Sequence, residues 1–179
     1  MLRSSSSRIA VTSSWRCDVV QIIIELKGIE ELLRKTAAPA SWLGPALRTM
    51  LTKSALAVES NAKKLVPVDT GTLRRTITHP VAGGLMPLVA TVGTNAPYAV
   101  VVHEGRRAGA PAPPSGKLLS WMSRHGMDPK SAFVVARAIG RKGIKGRPFL
   151  KNGFEASRSA IDGYSAAFQR DVEIMWGKK

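Results

Sequence analysis

A long helical pattern that ends at a proline- and glycine-containing corner is the feature that most constrains the fold of this chain. Apolar residues recur every three or four positions over residues 41–65, which predicts a helix with one buried face. Ser41 is a suitable N-cap, and Pro45 falls in the first turn, where its missing N–H has no intrahelical partner to lose. Pro67 disfavours helical geometry at the preceding residue, so the helix is expected to end there.

The two faces of this predicted helix differ in composition. The face expected to be buried carries Leu43, Leu47, Met50, Leu51, Val58, Ala62 and Leu65. The face expected to be solvated carries Arg48, Lys53, Glu59 and Lys63. The pattern therefore predicts a surface helix that packs on a sheet through one side.

The corner spans residues 66–75, with the sequence Val-Pro-Val-Asp-Thr-Gly-Thr-Leu-Arg-Arg. Asp69 can accept hydrogen bonds from nearby backbone N–H groups, and Gly71 can adopt a positive φ without a steric penalty. We therefore interpret the corner as a rigid turn between helix and sheet. A direct role in ligand binding is the alternative, and nothing in these ten residues requires it.

Short β-branched runs on both sides of the corner predict a small antiparallel sheet. Residues 19–26 are expected to form a strand, and residues 72–79 another, with one helical turn at its start as an alternative. Gly83-Gly84 favours a hairpin turn before the β-like run at 88–93. Residues 98–103 fit either a strand or a short helix, because periodicity does not separate the two in so short an apolar run.

The second half of the chain is strongly basic. Residues 106–151 hold eleven Lys and Arg residues against one acid, a net charge of +10 in a chain whose total is +15. Such an excess attracts polyanions or an acidic protein surface. Short helices are expected over residues 118–125 and 129–142, and a last helix begins near Pro148 with an apolar seam on one side.

The length of 179 residues suits one domain. We expect an α+β domain over residues 19–172, in which a small antiparallel sheet packs against the long helix and the C-terminal helix, with a basic Pro/Gly-rich insertion at 106–146. Residues 1–18 are rich in Ser and Arg and predict an arm that is flexible or ordered by assembly, and residues 173–179 form a tail. No apolar run approaches the roughly 20 residues that span a bilayer, so no membrane partner is expected.

The sequence contains no constellation typical of an enzyme. The three histidines are far apart, Cys17 is the only cysteine, and no Gly-x-Ser-x-Gly elbow is present, so neither a metal site nor a catalytic nucleophile is predicted. The run Ile139–Ile144 is similar to the I-G-x-x-G loop with which KH domains clamp single strands. The alternative for this run is a basic, glycine-rich connection that ends a helix.

Three pieces of sequence occur together in a fixed order. They are residues 67–74, residues 96–99 followed by Glu104-Gly105, and residues 147–150 at the start of the last helix. With the early strand, they resemble the neck and tail-completion family of long-tailed bacteriophages, also called minor tail or head–tail connector proteins. The residues that carry this resemblance are Pro67, Asp69, Thr70, Gly71, Leu73, Arg74, Tyr98, Ala99, Glu104, Gly105, Pro148 and Phe149.

The resemblance implies a structural virion protein without a catalytic site or cofactor. Such proteins form rings, commonly six-fold, at the head–tail junction, where they complete the neck or tail around the DNA channel. The implied partners are further copies of the chain, the connector or head-completion proteins and the tail terminator or tail tube, with non-specific contact to genomic DNA.

The basic segment supplies the candidate contacts to DNA or to an acidic partner. These residues are Arg106, Arg107, Arg137, Arg141, Lys142, Lys145 and Arg147. A basic nucleic-acid-binding protein without enzymatic activity is the alternative function. The sequence argues against it because no aromatic stacking platform is interleaved with the basic residues.

Overall fold

The computed structural model describes residues 9–12, 20–26, 40–84 and 88–177. These residues form two compact units. The first contains the described residues up to Ala99 and those from Phe149 onward, and the second contains Val100–Pro148. Residues 29–35, where Ile29, Leu32 and Leu33 at helical spacing predict a short helix, and the last two lysines lie outside the described residues.

Helices and strands follow one another along the chain in a mixed order. The elements are β1 (Ile9–Thr12), β2 (Val20–Leu26), α1 (Ala40–Leu65), α2 (Thr72–Thr76), β3 (Val81–Gly83), β4 (Leu88–Thr94), α3 (Ala99–Glu104), β5 (Gly105–Arg106), α4 (Leu119–Arg124), α5 (Ala132–Lys142), β6 (Ile144–Lys145) and α6 (Phe149–Gly177). Single 3-10 turns at Ser115–Leu118 and Pro129–Ser131 lead into α4 and α5.

The first unit is built on a four-stranded antiparallel sheet in the order β1-β2-β4-β3. In the central pair, Val20 lies opposite Thr94 and Ile24 opposite Ala90. Val20, Ile22 and Ile24 alternate into the core, as expected for a strand with one buried face. The predicted α+β class with a small antiparallel sheet is thus confirmed.

Helices α1 and α6 pack against each other and against this sheet. From α1, Leu47, Leu51, Val58 and Ala62 are fully buried, and α6 contributes Phe149, Leu150, Phe154 and Ile161. Gly153 of α6 lies directly against the backbone of Ala62, which brings the two helices close together. Beside this contact, the Asn61 side-chain amide donates to Ser157 Oγ at 2.9 Å, and Ser157 is fully buried.

Two residues of α1 differ from the predicted pattern. Leu65 is 46% exposed because it lies in the last helical position, and the following Val66 occupies the buried site instead. Glu59, expected on the solvated face, is only 9% exposed, because its carboxylate is paired within the fold. The helix also begins at Ala40, so Ser41 lies inside the first turn.

In the segment that follows the corner, the helical turn that the sequence allowed at the start of residues 72–79 is present, whereas the strand predicted there is largely absent. Residues 72–76 form the single-turn helix α2, and pairing with the sheet is limited to one bridge between Thr78 and Gly93. Residues 99–104 form helix α3, which decides between the two structures that the sequence allowed. Within the predicted arm, Ile9–Thr12 form edge strand β1 against β2, as their β-branched residues permit.

The second unit combines the two short helices α4 and α5 with a two-stranded antiparallel ribbon, β5-β6. Its buried side chains are Met122, His103 and, on α5, Ala132 and Ala136. Helix α5 continues through Gly140 to Lys142, and Gly143 ends it with φ 73°. The interpretation as a KH-type loop is therefore wrong, since Gly140 lies inside a helix rather than in a loop.

Candidate assembly site

The corner after α1 has an irregular backbone that Gly71 makes accessible. The Val66 N–H still donates to the carbonyl of Ala62 at 3.0 Å, after which Pro67 breaks the helical ladder. Gly71 has φ 76°, and its carbonyl accepts from the Arg75 N–H at 3.1 Å to open α2. No atom lies within 4 Å of where a Cβ would stand on Gly71, so the constraint there is backbone conformation rather than space.

Side chains in the corner separate into anchors and exposed groups. Leu73 is 5% exposed and holds α2 in the core, whereas Val68 is 60% exposed. Pro67 is half-buried, and Asp69, Thr70 and Arg74 are exposed. The corner thus presents both apolar and polar side chains to solvent.

Thr94, at the end of β4, joins the corner to the second sequence piece. Its hydroxyl shares a 2.8 Å hydrogen bond with Thr76 and accepts from the Ala96 N–H at 3.2 Å. Nearby, the Thr78 and Gly93 backbones exchange two hydrogen bonds of 2.9 and 3.0 Å. The pieces at 67–74 and 96–99 are therefore held together through the end of one strand.

Residues 96–99 place a buried alanine beside an exposed tyrosine. Ala99 is fully buried at the start of α3, and its N–H donates to the Ala96 carbonyl at 2.9 Å. Tyr98 is 45% exposed. As in the corner, a small anchor holds the backbone and a larger side chain faces solvent.

A part-buried interaction of one carboxylate with two basic side chains connects α1 to the segment after α2. The Glu59 carboxylate binds the Lys63 ammonium through one oxygen and His79 Nδ1 through the other. Burial alone would raise the pKa of Glu59, but the hydrogen bonds and charges of Lys63 and His79 outweigh it and hold this pKa below its ordinary value. These contacts therefore connect the helix before the corner to the segment after it. We call them the Glu59 clamp.

This clamp predicts a pH-dependent contribution to stability. A carboxyl whose pKa is lower in the folded state stabilises the fold above its ordinary pKa of 4.5, and the contribution is lost as the pH falls through the folded value. We expect Glu59→Gln to destabilise the protein by about 1–3 kcal/mol at neutral pH, because it leaves Lys63 and His79 without their anion. The difference from the parent protein should shrink on acidification, as measured by urea unfolding across this pH range.

Glu155→Gln is the matched control for this prediction. Glu155 lies on α6 with its side chain 53% exposed and its carboxylate 3.9 Å from Arg158. Exposed pairs of this kind contribute little to stability, so its replacement should change little at any pH. A constant stability difference for Glu59→Gln from neutral to acid pH would contradict the role of the clamp.

In the second unit, glycines allow two backbone segments to pack directly against each other. A Cβ on Gly105, which has φ 86°, would lie 2.5 Å from the Gly146 nitrogen, and a Cβ on Gly146 would lie 2.7 Å from the His103 carbonyl oxygen. The Arg147 N–H donates to the Val102 carbonyl at 2.8 Å, which satisfies a terminal carbonyl of α3. We call this arrangement the glycine clasp, and it brings Glu104-Gly105 beside the residues that lead into α6.

The candidate basic contacts lie in the second unit, which holds ten Lys and Arg residues against two acids, a net charge of +8. Arg106 is half-buried and donates from its guanidinium to the Pro111 carbonyl, so it braces the loop. The other six candidates are exposed. They are Arg107, Arg137, Arg141, Lys142, Lys145 and Arg147.

Three of these cations share a face of α5 with two exposed apolar side chains. Phe133 is 67% exposed and Val134 is 66% exposed, far more than apolar side chains of a core. A shallow cavity of about 370 Å³ on this face is lined by Phe133, Val134, Arg137, Ala138, Arg141 and Lys142. We call these six residues the α5 outer face.

Sequence reasoning located the exposed motif residues but missed three features of the site. The Thr94–Thr76 hydrogen bond and the Glu59–His79 pair both join segments that are distant in the sequence. The bond from the Ala96 N–H to the Thr94 hydroxyl, in contrast, is a local turn that the sequence could have predicted. The α5 outer face was detectable, because Phe133, Arg137 and Arg141 are spaced four apart on a predicted helix.

Within the described residues, no group of His, Cys, Asp and Glu side chains is arranged to hold a metal ion. Across the same residues, no helix combines the length and apolar character of a membrane span.

The family described as "Bacteriophage HK97-gp10, putative tail-component" matches residues 44–105, about a third of the chain. Searches of curated proteins and of solved structures gave no significant match. The matched segment runs from the first turns of α1 through the corner to Gly105, and so contains two of the three sequence pieces. Residues 147–150 lie outside it and rest on the sequence resemblance alone.

The matched family and the family that the three sequence pieces resemble are both families of bacteriophage tail proteins. Between residues 44 and 105, the corner and the Thr94 link form one hydrogen-bonded arrangement. Residues 44–105 of this chain therefore match the HK97-gp10-like family, which is described as a putative bacteriophage tail component.

Proposed function

We propose that this protein is a non-enzymatic structural component of a bacteriophage tail that forms a ring at the head–tail junction, where it joins tail to head and continues the DNA channel. The tail role is supported by the family match over residues 44–105. The ring and its place at the junction are supported by the resemblance of residues 67–74, 96–105 and 147–150 to neck and tail-completion proteins.

One observation carries the proposal. The matched segment divides its motif residues into buried anchors, such as Leu73 and Ala99, and large exposed side chains, such as Val68 and Tyr98. Exposed apolar groups next to rigid backbone are typical of protein–protein interfaces, in which tyrosine is enriched. An enzyme would instead bring reactive side chains together in a concave site.

A ring requires a heterologous interface, in which one patch of a protomer meets a different patch of the next. The corner and the Thr94 link fix the direction in which the chain leaves α1 and β4. We propose that this rigidity sets the curvature of the ring, commonly six-fold in the family that the chain resembles. The other partners are the connector or head-completion proteins on one side and the tail terminator or tail tube on the other.

The basic second unit faces either genomic DNA in the channel or an acidic surface of a neighbouring virion protein. Its net charge of +8 supports both, since both carry negative charge. Either contact would weaken with increasing salt.

Electron microscopy of the purified protein, alone and bound to phage tails, tests the proposal. We expect closed rings in the isolated protein and extra density at the head-proximal end of the tail. A protein that stays monomeric at all concentrations and decorates no virion structure would overturn it.

The second candidate is a free nucleic-acid-binding protein. Exposed Phe133 beside Arg137 and Arg141 favours it and corrects the expectation that no aromatic side chain accompanies the basic residues. An aromatic ring next to guanidinium groups can stack on a base while the cations bind phosphates. Micromolar or tighter affinity for single-stranded DNA at physiological salt, without ring formation, would favour this candidate.

A further inference from the structure

We propose that the α5 outer face of one copy binds the acidic, apolar end of α6 in a second copy. The occupant is therefore another molecule of this chain, in a head-to-tail contact. The inference rests on the proposed ring and deepens it, since it assigns the two surfaces that meet.

The α5 outer face has the composition of an interface for a mixed apolar and acidic partner. Phe133 and Val134 stand in the first turn, and Arg137, Arg141 and Lys142 follow on the same face. Burying apolar surface stabilises a contact by about 25 cal/mol per Å². Since a phosphate backbone would bury neither Val134 nor the methyl of Ala138, a protein partner uses more of this face than DNA does.

The end of α6 offers the complementary chemistry. Ile174 is 56% exposed and Met175 is 51% exposed, and Asp171 and Glu173 are exposed beside them. Over residues 162–175 the helix carries three carboxylates and one base, Arg170, and Lys178 and Lys179 follow at the end of the sequence. The dipole of a helix places further negative charge at its C-terminal end.

Other exposed apolar side chains of the described residues have only one neighbouring acid or none. Val68 is followed by Asp69, and Met127 by Asp128, whose carboxylate already accepts from the Lys130 N–H at 2.9 Å. The end of α6 alone among these combines two large apolar side chains with two exposed carboxylates. Among the described residues, the end of α6 is therefore the surface that best complements the three cations and two apolar side chains of the α5 outer face.

Electrostatics also excludes the simplest alternative, a symmetric contact between two α5 outer faces. Each α5 outer face presents three cations and no carboxylate, so two such faces in direct contact repel each other. A contact between α5 and α6 uses different patches on the two copies. Such an interface repeats from copy to copy and closes a ring when the rotation permits.

Charge reversal of each patch tests the contact. Arg137→Glu with Arg141→Glu makes the α5 outer face acidic, and Asp171→Arg with Glu173→Arg makes the end of α6 basic. We expect each double variant alone to associate at least about tenfold more weakly in sedimentation velocity, because like charges then meet. Phe133→Ala should weaken association too, with less dependence on salt.

The decisive measurement is a mixture of the two reversed proteins. One copy then has two acidic patches and the other two basic patches, so assembly should return as alternating copies. The chain that carries both reversals should also assemble alone. Misfolding of either variant cannot produce this rescue, and circular dichroism verifies that each variant is folded.

Lys117→Glu with Lys151→Glu is the matched control for the α5 reversal, because both lysines are exposed, belong to neither patch and give the same change in charge as that reversal. All variants keep Lys178 and Lys179, so the terminal lysines cannot account for a difference. The control should assemble like the parent protein.

Several outcomes separate this inference from the proposed function. Rings that are unaffected by either reversal overturn the α5–α6 contact and leave the ring standing. Lost DNA affinity in the α5 variant with unchanged self-association also overturns it and assigns the face to nucleic acid. Rescue that yields open chains supports the contact but removes the ring, and a monomeric parent protein overturns both.

Discussion

Replacing Gly153 with alanine is expected to destabilise the protein by about 1–3 kcal/mol, although alanine is the better helix former. Gly153 lies inside α6, where a Cβ would stand 2.7 Å from the nitrogen and 2.8 Å from the Cα of Ala62. These atoms belong to the backbone of α1, so they cannot move aside as a side chain can. The two helices must separate, and the packing of the first unit is loosened.

Gly163→Ala in the same helix is the matched control. No atom lies within 4 Å of a Cβ at this exposed position, so helix propensity acts alone. We expect it to stabilise the protein by about 0.5–1 kcal/mol. Thermal unfolding of both variants measures the contrast, and a gain in stability for Gly153→Ala would show that the α1–α6 contact is looser than described.

Gly105→Ala is expected to disrupt the glycine clasp at a free-energy cost of roughly 2–5 kcal/mol. The left-handed conformation at φ 86° is unfavourable for alanine, and the new Cβ would stand 2.5 Å from the Gly146 nitrogen. The unfavourable conformation and the steric overlap both affect the backbone that joins α3 to the β5-β6 ribbon. We therefore expect local opening of the second unit rather than a change in the sheet of the first.

Hydrogen exchange provides the measurement for this second prediction. The Arg147 amide, bonded to Val102 at 2.8 Å, should lose protection, while the Thr78 and Gly93 amides of the first unit keep theirs. Gly116→Ala is the control, since no atom lies within 4 Å of its Cβ position and it is in the same unit. Equal protection of Arg147 in both variants would contradict the clasp.

The sequence predicted the long elements well because their patterns extend over several turns. Helix α1 ends where Pro67 requires it to, α6 begins directly after Pro148, and the hairpin of β3 and β4 forms around Gly83-Gly84. The register of β2 also follows from its alternating apolar residues. Each of these elements is specified by local chemistry.

Short segments were harder to predict because tertiary contacts decide them. The β-branched residues of 72–79 favour a strand, yet Gly71 in its left-handed conformation and buried Leu73 select one helical turn first. Glu59 looked like part of a solvated face until His79, twenty residues later, supplied its partner. The motif residues were identified from sequence, but only the fold distinguishes the anchors from the exposed groups.

The glycine clasp places the entrance and the exit of the second unit side by side, since Val102 and Arg147 are directly hydrogen-bonded. A module whose two ends meet can be lengthened, shortened or replaced without changing the path of the chain into α6. The entropic cost of such changes is small, about 0.6 kcal/mol for each doubling of loop length. Related proteins could thus carry second units that suit different neighbours, while the first unit stays the same.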